Sequence, residues 1–222
     1  MFRSITIAFL LGLLLGSEGF AQGLLGKGHV SSQFLLFDTN PANGFQFDNY
    51  STGWQTQINA PIIWLENEEP FSGVAMDIFA TLHGVTMASQ NDLGDTNHAD
   101  SIGGDLGFNV FFHATDHIRP FATAGMLWNS TELNSVIIGP PPTTVTTPST
   151  IRKTFFGFGA EVDLIDLVAL RSSFVFQVDA QREHEIVNEL FIRPSQSWFA
   201  RLSLVIDTAG NKTGGIGVGL AW

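Results

Sequence analysis

The chain has no cysteine, a single tyrosine and little charge: charged residues make up 14% of 222 residues. Without cysteine there is no disulfide framework, no thiolate metal site and no cysteine lipid anchor. A soluble domain carries roughly 25% charged residues, so the shortfall itself points away from an ordinary soluble surface. Basic residues are the scarcer sign, 10 Lys and Arg against 21 Asp and Glu, for a net charge of −11 and a pI near 4.7. Such a chain lacks the basic face that nucleic acid requires, and it does not suit a cationic amphipathic helix at a membrane surface. Beyond Ala21 no apolar run approaches the ~20 residues that a membrane-spanning helix needs.

What is present is apolar residues in short pieces. They make up 44% of the sequence, with 20 Phe, 5 Trp and 23 Gly. At the start, Met1-Phe2-Arg3-Ser4 precedes an apolar stretch from Ile5 to Leu15, followed by small residues at Gly19 and Ala21. One positive charge, a short apolar core and small residues predict a secretory signal peptide over 1–21, cut before Gln22. Residues 22–222 are then one domain.

Period-two alternation dominates after residue 25 and predicts strands with two unlike faces. In 71–84, Val74, Met76, Ile78, Ala80 and Leu82 oppose Asp77, Phe79, Thr81 and His83. In 101–114, Ile102, Leu106, Phe108, Val110 and Phe112 oppose Asp105, Asn109 and His113. Segments 154–164 and 168–181 repeat the pattern, with Glu161, Asp163, Arg171 and Asp179 on their polar faces. Weaker strands are expected at 30–37, 53–65 and 118–129. Several of these segments reach the ten or so residues of a tilted transmembrane strand, against five or six in soluble sandwiches. With no spanning helix, only a closed barrel satisfies every backbone group in lipid. The expected fold is therefore all-β, an antiparallel up-and-down transmembrane barrel of about 8–10 strands.

Long polar connections are expected at about 38–52, 86–100, 130–152 and 182–196, and short ones at 65–70, 115–118 and 164–167. That asymmetry belongs to barrels with long outer loops and tight inner turns. The Pro/Thr-rich stretch 139–150 reads as extended and mobile. The chain ends on Ile216, Val218, Leu220 and Trp222 alternating with Gly and Ala. Together with Arg119-Pro120-Phe121 and Phe158-Gly159-Ala160-Glu161, this end resembles small OmpA-like outer-membrane barrels. The resemblance implies location in the outer membrane, contact with its lipid, and recognition of the last strand by the barrel assembly machinery. Counting gives eight strands to Asp207 and a ninth at 214–222, whereas such barrels use even numbers. A further strand is sought inside 38–52.

The inward faces gather Asp77, Asp105, Asn109, Arg119, Glu161, Asp163, Arg171, Asp179 and Arg201. In a narrow barrel these fill the interior as hydrogen-bonded charge pairs. Trp54, Trp64, Trp128, Trp198 and Trp222 fall near strand ends and suit interface belts. His29-Val30-Ser31 shares the His-x-Ser spacing of outer-membrane lipid A deacylases, but no carboxylate follows at a matching interval. His113, Asp116 and His117 match no structural zinc spacing. Neither catalysis, cofactor nor metal is expected. The expected role is structural, surface contact or a narrow channel, with the external ligand unknown. The acidic loops (Asp38 and Asp48; Asp92, Asp95 and Asp100) face the medium in that reading. A secreted soluble β-sandwich and a barrel-embedded lipid-modifying hydrolase are the competing readings.

Overall fold

A computed structural model describes residues 24–38, 51–64, 74–90, 96–115, 117–137, 143–178 and 184–222. Ten strands follow one another: β1 His29–Asp38, β2 Thr52–Trp64, β3 Val74–Gln90, β4 Thr96–Phe112 and β5 Ile118–Ile137. They continue as β6 Thr143–Ile165, β7 Val168–Val178, β8 His184–Ile192, β9 Trp198–Asp207 and β10 Lys212–Ala221. Each pairs antiparallel with its neighbour in sequence. β1 and β10 close the ring through His29↔Ala221 to Asp38↔Lys212. An even count brings the start of β1 and the end of β10 to one rim, beside the short β4–β5, β6–β7 and β8–β9 turns.

The strand missing from the sequence count is β8. It lies inside the expected loop 182–196, not within 38–52. Its inward positions carry Glu185, Val187, Glu189 and Phe191, and its lipid side carries Asn188 among Ile186, Leu190 and Ile192. Polar and apolar residues occur on both faces, so period two is blurred. Asn188 is accommodated outside by accepting from the Ser172 hydroxyl at 2.9 Å. The expected loops 86–100 and 130–152 are largely strand as well, and the Pro/Thr-rich stretch from Thr143 onward pairs along β5. These hairpins are polar because they rise above the membrane, where both faces meet water. The signal peptide, Asp48, Asp92, Asp95, Asp116 and Asp179 lie outside the described residues.

The exterior shows where the bilayer sits. On β4 the outward residues run Phe112, Phe108, Leu106 and Ile102, then change to Asp100 and His98. On β5 they run Ile118, Met126 and Trp128, then Ser130 and Glu132; on β6, Phe158 and Phe156 give way to Arg152 and Thr150. From Ile118 to Trp128 the span matches the roughly 9–11 residues a tilted strand needs to cross. Leu106, Phe158 and Leu220 are each 58–59% exposed. In water, apolar surface of this extent all round a barrel would drive aggregation; in lipid it is the stable outer face.

Two irregularities lie near the short-turn rim. The register shifts between Pro61 and Ile63 on β2, and between Asp163 and Ile165 on β6. Proline has no N–H to give a ladder, so a bulge is where it is tolerated.

Candidate functional site

The interior has two storeys. The lower one, at the short-turn rim, begins with a segment that precedes the first strand. Residues Leu24–Lys27 turn inside the barrel, with the Lys27 amide donating to the Leu24 carbonyl at 3.2 Å and Gly26 at φ 81°. That left-handed backbone suits glycine. Leu24 is packed with Ala169, Phe191, Phe199 and Ala221, and Leu25 with Ala75, Phe111 and Phe121. The Leu25 amide donates to Glu161 Oε1 at 3.1 Å and the Gly26 amide to Asp77 Oδ2 at 2.9 Å. The Asn59 amide donates to the Lys27 carbonyl at 3.1 Å. Phe199 reaches across to β10 at Gly219, where any Cβ would stand 2.2 Å from the ring.

Above this plug the charges form one connected chain. Arg119 donates to Asp163 Oδ1 at 2.6 Å and to Glu161 Oε1 at 3.2 Å. Arg171 donates to Glu161 Oε2 at 2.7 and 3.1 Å and lies 3.6 Å from Glu189. Arg201 completes it, donating to Glu189 and, at 3.1 Å, to the Ser31 hydroxyl. The Arg171 guanidinium also sits over the Phe191 ring, 5.1 Å from its centre. All of these side chains are buried. A buried ion is tolerated when partners replace its water, and here each arginine meets at least one carboxylate.

The sequence-derived set divides accordingly. Asp77, Arg119, Glu161, Asp163, Arg171 and Arg201 meet in the lower storey. Asp105 and Asn109 face the lumen above it and take no part in the arginine chain. Glu189, the carboxylate that joins Arg171 to Arg201, was missed because β8 was taken for a loop. The plug was missed because Leu24 and Leu25 have no partner within the sequence, and only the closed barrel supplies one. His29 and Ser31 are buried in the lumen, His29 with Nδ1 3.2 Å from the Lys27 carbonyl and its ring edge-on to Phe199. Both are held by structural contacts, and among the described residues no carboxylate pairs with His29.

The upper storey is a cavity of about 490 Å³. Side-chain amides and hydroxyls from every side line it, with Phe79 and Phe155 between them. Of the tryptophans, Trp54, Trp128 and Trp222 stand outside and are well exposed, while Trp198 is half-buried. The Trp54 ring lies over Gly84 on β3, where a Cβ would come within 2.5 Å of the indole nitrogen. Trp64 ends β2.

An apolar exterior, a lumen filled by paired charges and a next-neighbour strand order define a small membrane-spanning β-barrel. No family model and no curated protein matches the chain. Among solved structures it is similar to Ail, the attachment invasion locus protein of Yersinia pestis, at 9% identity over 89% of this chain and 99% of that one, TM-score 0.43. It is also similar to the translocator domain of the autotransporter NalP from Neisseria meningitidis, at 11% identity over 98% and 97%, TM-score 0.44. A third is the KdgM porin, at 5% identity over 87% and 99%, TM-score 0.37. The architecture of the present chain stands on its own strand order and closure.

Proposed function

We propose that this is an exported outer-membrane barrel that presents a raised surface to the medium and does not conduct solutes. Export rests on residues 1–21 as a signal peptide removed before Gln22, leaving 22–222 as one barrel. The observation that carries the reading is the lower storey: the Arg119–Glu161–Arg171–Glu189–Arg201 chain and the Leu24–Lys27 plug together fill the lumen at one end. Filling rather than boring is what a barrel of this size tends to do. The tall β3–β6 wall, polar on its outward face beyond Trp54 and Trp128, supplies the contact surface. Trp54 and Trp128 mark the outer lipid boundary in this reading, and Trp64, Trp198 and Trp222 the inner one. The strand ending at Trp222 is the segment offered to the assembly machinery, and outer-membrane lipid is the immediate partner. The ion pairs of Arg119, Arg171 and Arg201 and the structural contacts of His29 and Ser31 support a non-catalytic role, with no cofactor.

The test is a pair of measurements on protein from isolated membranes. A folded barrel migrates differently before and after boiling in SDS gels, and we expect that shift in the outer-membrane fraction. In planar bilayers the same protein is expected to give no stable conductance steps. Recovery as a soluble protein without a shift would sink the location; stable open channels would sink the closed lumen.

A further inference from the structure

The upper cavity contains a patch of polar groups that the fold leaves unsatisfied. Gln57 on β2, Thr81 on β3 and Asp105 on β4 are direct partners in one register row, and Asn109 follows on the same face of β4. Among the described residues none of these four side chains makes a hydrogen bond to protein, and all four line the cavity. Phe79 lies in their midst, its ring set across Gly107, where a Cβ would meet it at 2.6 Å. The Phe79 ring lies tilted against that of Phe155, centre to centre 6.3 Å, and both rings line the cavity. The charge that bears on Asp105 is Glu185, of the same sign. Of the cations that line the cavity, Arg171 and Arg201 are held by the carboxylates below, while Lys153 donates to Gln177 at 3.0 Å and Gln177 donates to Glu185 at 2.6 Å. Among the described residues Asp105 has no ion-pair partner, whereas Arg119, Arg171 and Arg201 below each have one.

We propose that this cavity binds an amine-bearing, hydroxyl-rich solute, an amino sugar of one or two rings, with its ammonium on Asp105. Three features set the class. An unpaired, largely enclosed carboxylate facing a second carboxylate favours a cation. Amide and hydroxyl groups able both to donate and to accept suit hydroxyls. Aromatic rings in the cavity wall, Phe79 and Phe155, suit the apolar side of a sugar ring and also attract a cation. The volume falls in the ~300–1,000 Å³ range of small-molecule sites.

The experiment uses the full mature barrel in detergent, with glucosamine and glucose as probes, followed by calorimetry or by saturation transfer in NMR. Glucosamine is expected to bind saturably and at least about tenfold more tightly than glucose, a difference of ~1.4 kcal/mol. Asp105→Asn should abolish that preference while the barrel keeps its boiling-dependent gel shift, since no protein partner loses a contact. Gln57→Ala should weaken both probes together. Equal affinity for the two sugars, no saturable binding of glucosamine, or a preference unchanged in Asp105→Asn would each overturn the proposal. A failure here leaves the gel shift and the absence of conductance intact, so it is distinguishable from a failure of the proposed function.

Discussion

The two storeys of the lumen are built from the same residue types and solve opposite problems. Below, Arg119, Arg171 and Arg201 are joined by Glu161, Asp163 and Glu189, aromatic rings close over them, and a backbone turn donates two amides into the cluster. Above, Gln57, Thr81, Asp105 and Asn109 line open space and, among the described residues, make no side-chain hydrogen bond to protein. The lower arrangement is dry and every charge depends on its neighbours, so it resists change. The upper groups keep access to water and depend on little. The lumen thus holds an ion-paired half and an open half.

The sharpest way to break the contrast is to delete the carboxylate at its centre. Glu161→Ala strands Arg119 and Arg171 without their shared partner and also frees the Leu25 amide. Removing one member of a buried pair costs about 3–5 kcal/mol. The expected result is a large loss of stability in urea titrations of the folded barrel, or no folded band at all. A much smaller effect follows above: Gln57→Ala removes no protein hydrogen bond, and its cost should stay within about 0.5 kcal/mol, as for substitutions away from buried networks. Equal costs for the two variants would erase the distinction between the storeys.

A pH-dependent effect concerns the plug. Burial, with Arg193 and Arg119 nearby, lowers the Lys27 pKa from its ordinary 10.5 to about 8. Between those values the unfolded chain binds the proton and the folded one does not, so stability rises with pH across that window. A modest rise in the melting midpoint of the gel-shifted form between pH 8 and 10 is expected, and Lys27→Met should flatten it.

Much of this was legible in the sequence. The alternation in 71–84, 101–114 and 154–164 fixed which residues face inward, because a strand admits only two faces. Hence Asp77, Asn109 and Glu161 were placed in the lumen without a structure. β8 was illegible because the apolar Val187 and Phe191 share its inward face with Glu185 and Glu189 while Asn188 faces out, leaving no clean period to detect. The tops of β5 and β6 were illegible for a related reason. Once a hairpin clears the bilayer, Thr, Ser and Pro occur on both faces, and composition resembles a loop although the ladder continues.

By itself, then, the sequence determined the class of fold, through a shortage of charge, the lack of a spanning helix and strands long enough to cross lipid. Only the tertiary structure decided the strand count, the joining of Arg171 to Arg201 through Glu189, the entry of Leu24 and Leu25 into the lumen, and the isolation of Asp105. The physical reason is range. Period two is a property of neighbours in the chain, whereas an ion pair such as Arg201 with Glu189, or an amide from Leu25 on Glu161, exists only after distant strands are brought into register around a closed ring.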